Sequence, residues 1–160
     1  MIQIKDYKLL NKDKKGEAVE RVVSTILFKI YDRVDFVNFP QKIHPLNSLI
    51  ERCHYDFNCY MNNTPKFDRI ECKGISNSFS SIPLKHNQLN IDYCFVYSHI
   101  DGCIIVFDVR HILNGFIYKG GPVKPLNLCQ NKYRQHSVVI HQEEDIDKIV
   151  QFVQRGSKLK

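Results

Sequence analysis

Two nearly continuous apolar stretches, "YCFVYS" (93–98) and "CIIVFDV" (103–109), are separated only by "HIDG". A strand with one face in water alternates apolar and polar residues, so a run that is apolar at almost every position needs cover on both faces. "HIDG" has the composition of a turn. The pair therefore predicts two buried strands inside a sheet that carries further layers on both sides, and the rest of the chain has to supply those layers.

Much of that supply is legible. In "DKKGEAVERVVSTILFKIY" the apolar residues Val19, Val22, Val23, Ile26, Leu27 and Ile30 recur at the spacing of an amphipathic helix, with Asp13 as the expected N-cap. "RVDFVNF" reads as a strand. "HYDFNCYM" alternates, with Tyr55, Phe57, Cys59 and Met61 on one side and His54, Asp56, Asn58 and Tyr60 on the other. "DRIECK" sets Ile70 and Cys72 against Arg69, Glu71 and Lys73, and "NNTP" turns between the two runs. They predict a hairpin with one apolar and one polar face. In the tail, "EEDIDKIVQFVQ" places Ile146, Ile149, Val150 and Val153 at helical spacing behind an acidic first turn. Residues 77–92 and 110–137 read as loops with short pieces of structure. The order predicts an α/β or α+β fold, a mixed central sheet flanked by helices.

The 160 residues fit one domain spanning 1–160, with no repeat, low-complexity tract or linker to divide it. Hydrophobic residues at 43% and charged residues at 25% are ordinary for a globular protein. No apolar run approaches the roughly 20 residues of a membrane helix, and "MIQIKDYKLLNKDKKGE" lacks the apolar core of a signal peptide. An intracellular protein without a membrane partner is expected. The six cysteines (Cys53, Cys59, Cys72, Cys94, Cys103 and Cys129) form no C-x-x-C, and several lie inside apolar runs, which argues for reduced, mostly buried thiols rather than a zinc site. The formal charge of +6 suits a polyanionic partner.

The polar face of the hairpin holds the chemistry. Phosphodiester hydrolysis needs a divalent cation, an activated water and stabilisation of the leaving oxygen. Mg²⁺ takes hard oxygen ligands, commonly one or two carboxylates with water and phosphate. Asp56 and Glu71 are candidates for those carboxylates, and the Cys72 main-chain carbonyl for a further ligand. Lys73, two residues beyond Glu71, shares its face and is placed to orient water or stabilise charge developing on phosphate. A charged, solvated ribbon edge is the competing reading. On the preceding helix Glu20 lies on the shoulder of the apolar face and can reach toward a sheet edge, whereas Glu17 points into solvent. Lys12, Lys14, Lys15 and Arg21 form a basic cluster at the helix start, suited either to phosphate or to solvent.

"KKGEAVERVV", "YDF" and "RIECKG", taken together over roughly residues 12–109, resemble the PD-(D/E)xK nuclease superfamily. "KGEAVER" is similar to the opening helix of archaeal Holliday-junction resolvases, where a Lys-Gly pair precedes a glutamate four residues after the Gly, here Glu20. The hairpin and "IDYCFVYSHIDGCIIVFDV" resemble small homing and restriction-type endonucleases of the same superfamily. The resemblance implies a restriction-endonuclease-like core, a Mg²⁺ site (Mn²⁺ able to substitute) from Asp56 and Glu71, Lys73 as catalytic lysine and Glu20 as accessory carboxylate. Tyr55 stands where the superfamily motif has Pro, and "PQKIHPLNSLIERC" is longer than the compact resolvases need. The expected function is a site-specific DNA endonuclease, with a Holliday-junction resolvase as the alternative and a non-catalytic DNA-binding module as the alternative of another class. Cutting both strands calls for a homodimer or higher symmetric oligomer.

Three further features carry less. "LNGFIYKGGPVKP" lacks the G-K-[ST] ending of a phosphate loop. "KYRQH" (132–136) mixes basic and aromatic residues but reads as a plain loop, and His54 reads as a strand cap.

Overall fold

The computed structural model describes residues 1–37, 55–61, 65–76, 82–84, 90–114, 126–129 and 131–158. The long segment before the hairpin, His54, most of "NNTP" and nearly all of the glycine-containing "LNGFIYKGGPVKP" lie outside the described residues. Helix α1 spans Lys12–Ile30, and strand β1 follows at Arg33–Phe36. The hairpin strands are β2 (Phe57–Tyr60) and β3 (Phe67–Ile75). After the two-residue β4 (Pro83–Leu84) come β5 (Tyr93–Ser98) and β6 (Cys103–Asp108). Helix α2 (Val109–Asn114), β7 (Leu126–Asn127), β8 (Ser137–Ile140) and α3 (Ile146–Lys158) complete the order.

Six strands form one mixed sheet in the order β1-β2-β3-β5-β6-β8, and β4 pairs with β7 in a separate ribbon. Every contact in the large sheet is antiparallel except that between β3 and β5, which run parallel with Glu71 beside Cys94 and Lys73 beside Val96. This is the mixed sheet with flanking helices that the sequence predicts. All twelve residues of β5 and β6 are buried. Their side chains divide by parity: Tyr93, Phe95, Tyr97, Ile104 and Val106 pack beneath α1 and α3, whereas Cys94, Val96, Cys103, Ile105 and Phe107 pack into a second core with β4, α2 and Tyr133. The apolar character at every position in these runs is explained by those two cores.

Helix α1 turns Val19, Val23, Ile26 and Leu27 into the first core. Its N-cap is Asn11, not Asp13: the Asn11 side chain accepts from the Lys14 amide at 2.9 Å, and Asp13 falls within the first turn. Asn caps as well as Asp, and the helix takes the earlier of the two. Tyr55 also departs from expectation. It packs against the second core, while Phe57 and Cys59 face the first. The cause is a slip in pairing. β2 and β3 pair regularly from Tyr60↔Phe67 to Phe57↔Ile70. The Asp56 amide then donates to the Ile70 carbonyl at 2.9 Å, one residue out of register. Strict alternation ends there. "KYRQH" lies in a 3-10 turn, Asn131–His136, whose Tyr133 is buried in the second core and so is withheld from stacking on a base. β8, which extends the sheet beyond β6, has no counterpart in the sequence reading.

At one end of the sheet a polar network ties β3, β5, β6 and α2 together. The Arg110 guanidinium lies 3.3 Å from Asp92 Oδ1 and 3.9 Å from Asp108 Oδ1, and donates to the Tyr93 hydroxyl at 2.8 Å. Asp92 accepts the Arg69 amide at 2.7 Å, the Tyr31 hydroxyl donates to Asp68 at 2.8 Å, and His111 Nδ1 meets Asp108 at the same distance. The three carboxylates are buried, yet each has a short hydrogen bond, as buried charge requires.

Gly74 sets how closely α1 approaches β3. A Cβ there would collide with the Tyr7 hydroxyl and come within 2.9 Å of Val19 Cγ2. Gly74→Ala is expected to lose about 1–3 kcal/mol in urea unfolding, because both neighbours sit in the packed core. Arg110→Met is expected to lose at least about 2 kcal/mol in the same assay, since it strands Asp92 and Asp108 without their cation. A wild-type midpoint in either variant would show that the contact is dispensable.

Candidate metal and phosphate site

The polar face of the hairpin is not the open ribbon that alternation suggests. Glu71 is 6% exposed. It lies on β3 beyond the last regular β2 pair, flanked by Asp56 on the hairpin side and by Cys94 of β5 on the other. The Cys72 N–H has no main-chain partner on β2 in the regular ladder, and the Asp56 side chain takes it, Oδ2 accepting at 2.8 Å. In an extended strand the N–H and C=O of one residue point to the same side. The Cys72 carbonyl is thus directed to the Asp56 side of β3, past the regular ladder. Two carboxylates and one carbonyl oxygen therefore share a small region at the end of β2.

The electrostatics of the region follow from burial. Desolvation, then the charge of Asp56 and a hydrogen bond to it, push the Glu71 carboxyl up to about 10; Lys73 pulls the other way and Glu20 adds the smallest upward push. Burial and the neighbouring Asp56 charge thus favour the protonated form of the Glu71 carboxyl. Burial, followed by the charges of Asp56 and Glu71, also raises the Cys72 thiol, which rules out a thiolate there. Five of the named residues, Glu20, Asp56, Glu71, Cys72 and Lys73, thus influence one another across α1, the start of β2 and β3.

The basic cluster is divided. Lys12 and Lys15 line a groove between α1 and β3, together with Lys73. Lys14 instead pairs with Glu17 at 3.5 Å on the outer side of the helix, and Arg21 is exposed. Neither lines the groove. Glu17 is therefore a solvent-side residue, and Glu20 is the acid turned toward β3.

Two contributors to this region escaped the sequence reading. Tyr7, buried in a 3-10 turn before the helix, closes one wall of the groove, and Gly16 leaves another open. Gly16 had a visible signal, since a glycine inside a helical pattern asks for a reason. Tyr7 had none.

Among the described residues no group of three or more His, Cys, Asp or Glu side chains gathers closely enough to hold a metal ion. The available donor set is the two carboxylates of Asp56 and Glu71 with the Cys72 carbonyl. All are hard oxygens, which fit Mg²⁺ or Mn²⁺ and not zinc. No protein-family model and no curated protein matches the sequence. Among the described residues no helix is long and apolar enough to cross a membrane.

The sign of the Glu71 perturbation fixes a pH dependence. Its folded value lies above the ordinary 4.5, so its contribution to stability is fully present below about pH 4.5 and is lost as pH rises toward 10. Glu71→Gln keeps a donor for Asp56 and removes the titration. In urea unfolding with EDTA, the variant and wild type are expected to match near pH 4 and to separate above pH 5. By pH 8 the variant should be the more stable by about 1 kcal/mol or more. A gap independent of pH would mean that the carboxyl is not strained by burial.

Proposed function

We propose that this protein is a metal-dependent DNA endonuclease of the PD-(D/E)xK type, probing phosphodiester bonds at the point where the β2 ladder ends. The observation that carries this reading is the hydrogen-bonded Asp56–Glu71 pair with Lys73 beside it. A buried carboxylate held against a half-buried one, with a lysine in reach, makes a poor structural device: an apolar pair would pack there without desolvation cost. The Asp92–Asp108–Arg110 network illustrates the difference, because there the carboxylates face a guanidinium and an imidazole rather than each other.

In this reading Asp56, Glu71 and the Cys72 carbonyl hold Mg²⁺, with Mn²⁺ able to substitute. The bound ion supplies Lewis-acid polarisation of the phosphate and a water of lowered pKa. Asp56 is oriented for this by the Cys72 amide, and Glu71 would have to release its proton to solvent to serve as a ligand. Lys73 carries a positive charge to the phosphate oxygens, where charge develops in the transition state. Glu20, on the neighbouring helix turn, serves as the accessory carboxylate that orients water. The substrate is duplex DNA in an intracellular setting. The site-specific homing or restriction type is favoured over a junction resolvase, because the segment before the hairpin exceeds what a compact resolvase needs. Cleavage of both strands then requires two such sites, which a symmetric homodimer supplies.

Supercoiled plasmid and a synthetic four-way junction, incubated with Mg²⁺ or Mn²⁺, test the proposal. Discrete plasmid fragments are expected, with Asp56→Asn and Glu71→Gln reducing the rate to background and Lys73→Ala lowering it about 100-fold or more. Symmetric cuts in the junction alone would make the protein a resolvase. Metal-independent binding of both DNAs without cleavage would make it a binding module and end the nuclease reading.

A further inference from the structure

The groove beside the carboxylates has a volume of about 360 Å³ and lies between the first turns of α1 and the far half of β3. Lys12 and Lys15 line it from the helix, Lys73 from the strand, and Tyr7 and Ser76 close it. None of its described lining residues is acidic. Lys15 Nζ stands 5.3 Å over the Tyr7 ring, which holds the ammonium at the groove wall. Lys12, Gly16 and Glu20 follow one another at intervals of four along a single stripe of α1. Eight residues at 1.5 Å each make that stripe about 12 Å long. Glu20 at one end acts on the Glu71 carboxyl through its charge, and Lys12 makes the other end cationic.

Gly16 lies in the middle of this stripe and has no packing reason to be glycine. A Cβ there would meet nothing within 4 Å, and its backbone is helical. In a helix interior it costs about 1 kcal/mol relative to alanine. What a side chain at this position would do is enter the groove.

We propose that the groove is a second phosphate subsite, holding the backbone of a nucleic-acid strand next to the phosphate at the carboxylates. Lys12 and Lys15 are its cations, and Gly16 is kept bare so that the strand can lie against the helix. The assignment rests on the reading of Asp56 and Glu71 as the place of the scissile phosphate, since that fixes the direction of the strand along α1. A point charge on a flexible stem suits phosphate without regard to sequence, so the subsite contributes affinity rather than base choice.

The test is binding of a fluorescein-labelled 30-base-pair duplex over a KCl series, with Ca²⁺ replacing Mg²⁺. Lys12→Gln/Lys15→Gln is expected to lower the slope of log K against log salt by about 1 to 2 relative to wild type. Lys29→Gln/Lys148→Gln, with the same change in net charge on other surfaces, is expected to lower it less. Gly16→Leu is expected to raise the thermal midpoint while weakening binding at least tenfold. An unaltered slope in the lysine pair, wild-type affinity in Gly16→Leu, or the absence of salt-dependent binding in wild type would each overturn the subsite. Cleavage assays on the same variants separate the two claims. Cleavage with unaltered binding removes the subsite alone, whereas altered binding without any cleavage in wild type removes the nuclease reading and leaves a polyanion groove.

Discussion

The hydrogen bond from the Cys72 amide to Asp56 decides what the end of this sheet can be. β3 is longer than β2, so beyond Ile70 its hairpin side exposes main-chain groups that no regular ladder satisfies. A buried amide without a partner is costly. The chain answers by slipping one residue and offering a side-chain oxygen in place of a carbonyl. Once Asp56 is fixed in this way, its carboxylate is immobile, close to β3 and adjacent to Glu71. The acid pair follows from strand-length mismatch, and no rotamer has to be chosen by chance. The same mismatch leaves the Cys72 carbonyl aimed at that space.

Two acidic groups meet β3, one at its start beside Asp68 and one midway at Glu71, and their partners distinguish them. Asp68 receives a tyrosine hydroxyl, Asp92 a main-chain amide and a guanidinium, and Asp108 an imidazole. Those contacts join four elements and account for the cluster as architecture. Asp56 and Glu71 have each other and the Cys72 amide, with Lys73 nearby and the Glu71 carboxyl raised to about 10. In such a pair the protonated form of one carboxyl is favoured. In the proposed reading, such a pair would be stable without metal and responsive to it.

What could be read beforehand was whatever depends on local periodicity. The stripe of Val19, Val23, Ile26 and Leu27 located α1, and the alternation in Phe57–Tyr60 and around Ile70 located the hairpin. The unbroken apolar runs located β5 and β6, and even the helical phase separating Glu20 from Glu17 held. Illegible were the consequences of pairing. The burial of Glu71 depends on β5 lying alongside it, and the reversal of Tyr55 depends on a one-residue slip that no composition signals. The polar network of Asp68, Asp92, Asp108 and Arg110 comes from positions without any spacing of their own. β8 (Ser137–Ile140) has no apolar–polar alternation to mark it.

The two glycines at the α1–β3 boundary show how packing and access are divided within a few ångströms. Gly74 is glycine because the space is full: Tyr7 and Val19 already occupy what a methyl group would need. Gly16, one turn before Val19 on the facing helix, is glycine where the space is empty. A chain selected only for stability would place alanine there and gain helix propensity at no steric cost. Keeping the helix bare on its cationic stripe, while drawing it tightly onto the strand at Gly74, brings the lysines and the carboxylates onto one rigid frame. In the proposed reading, any motion of α1 away from β3 would separate the lysines that attract a phosphate from the carboxylates that act on it. The tight contact at Gly74 is therefore as much a condition for the proposed chemistry as the acid pair itself.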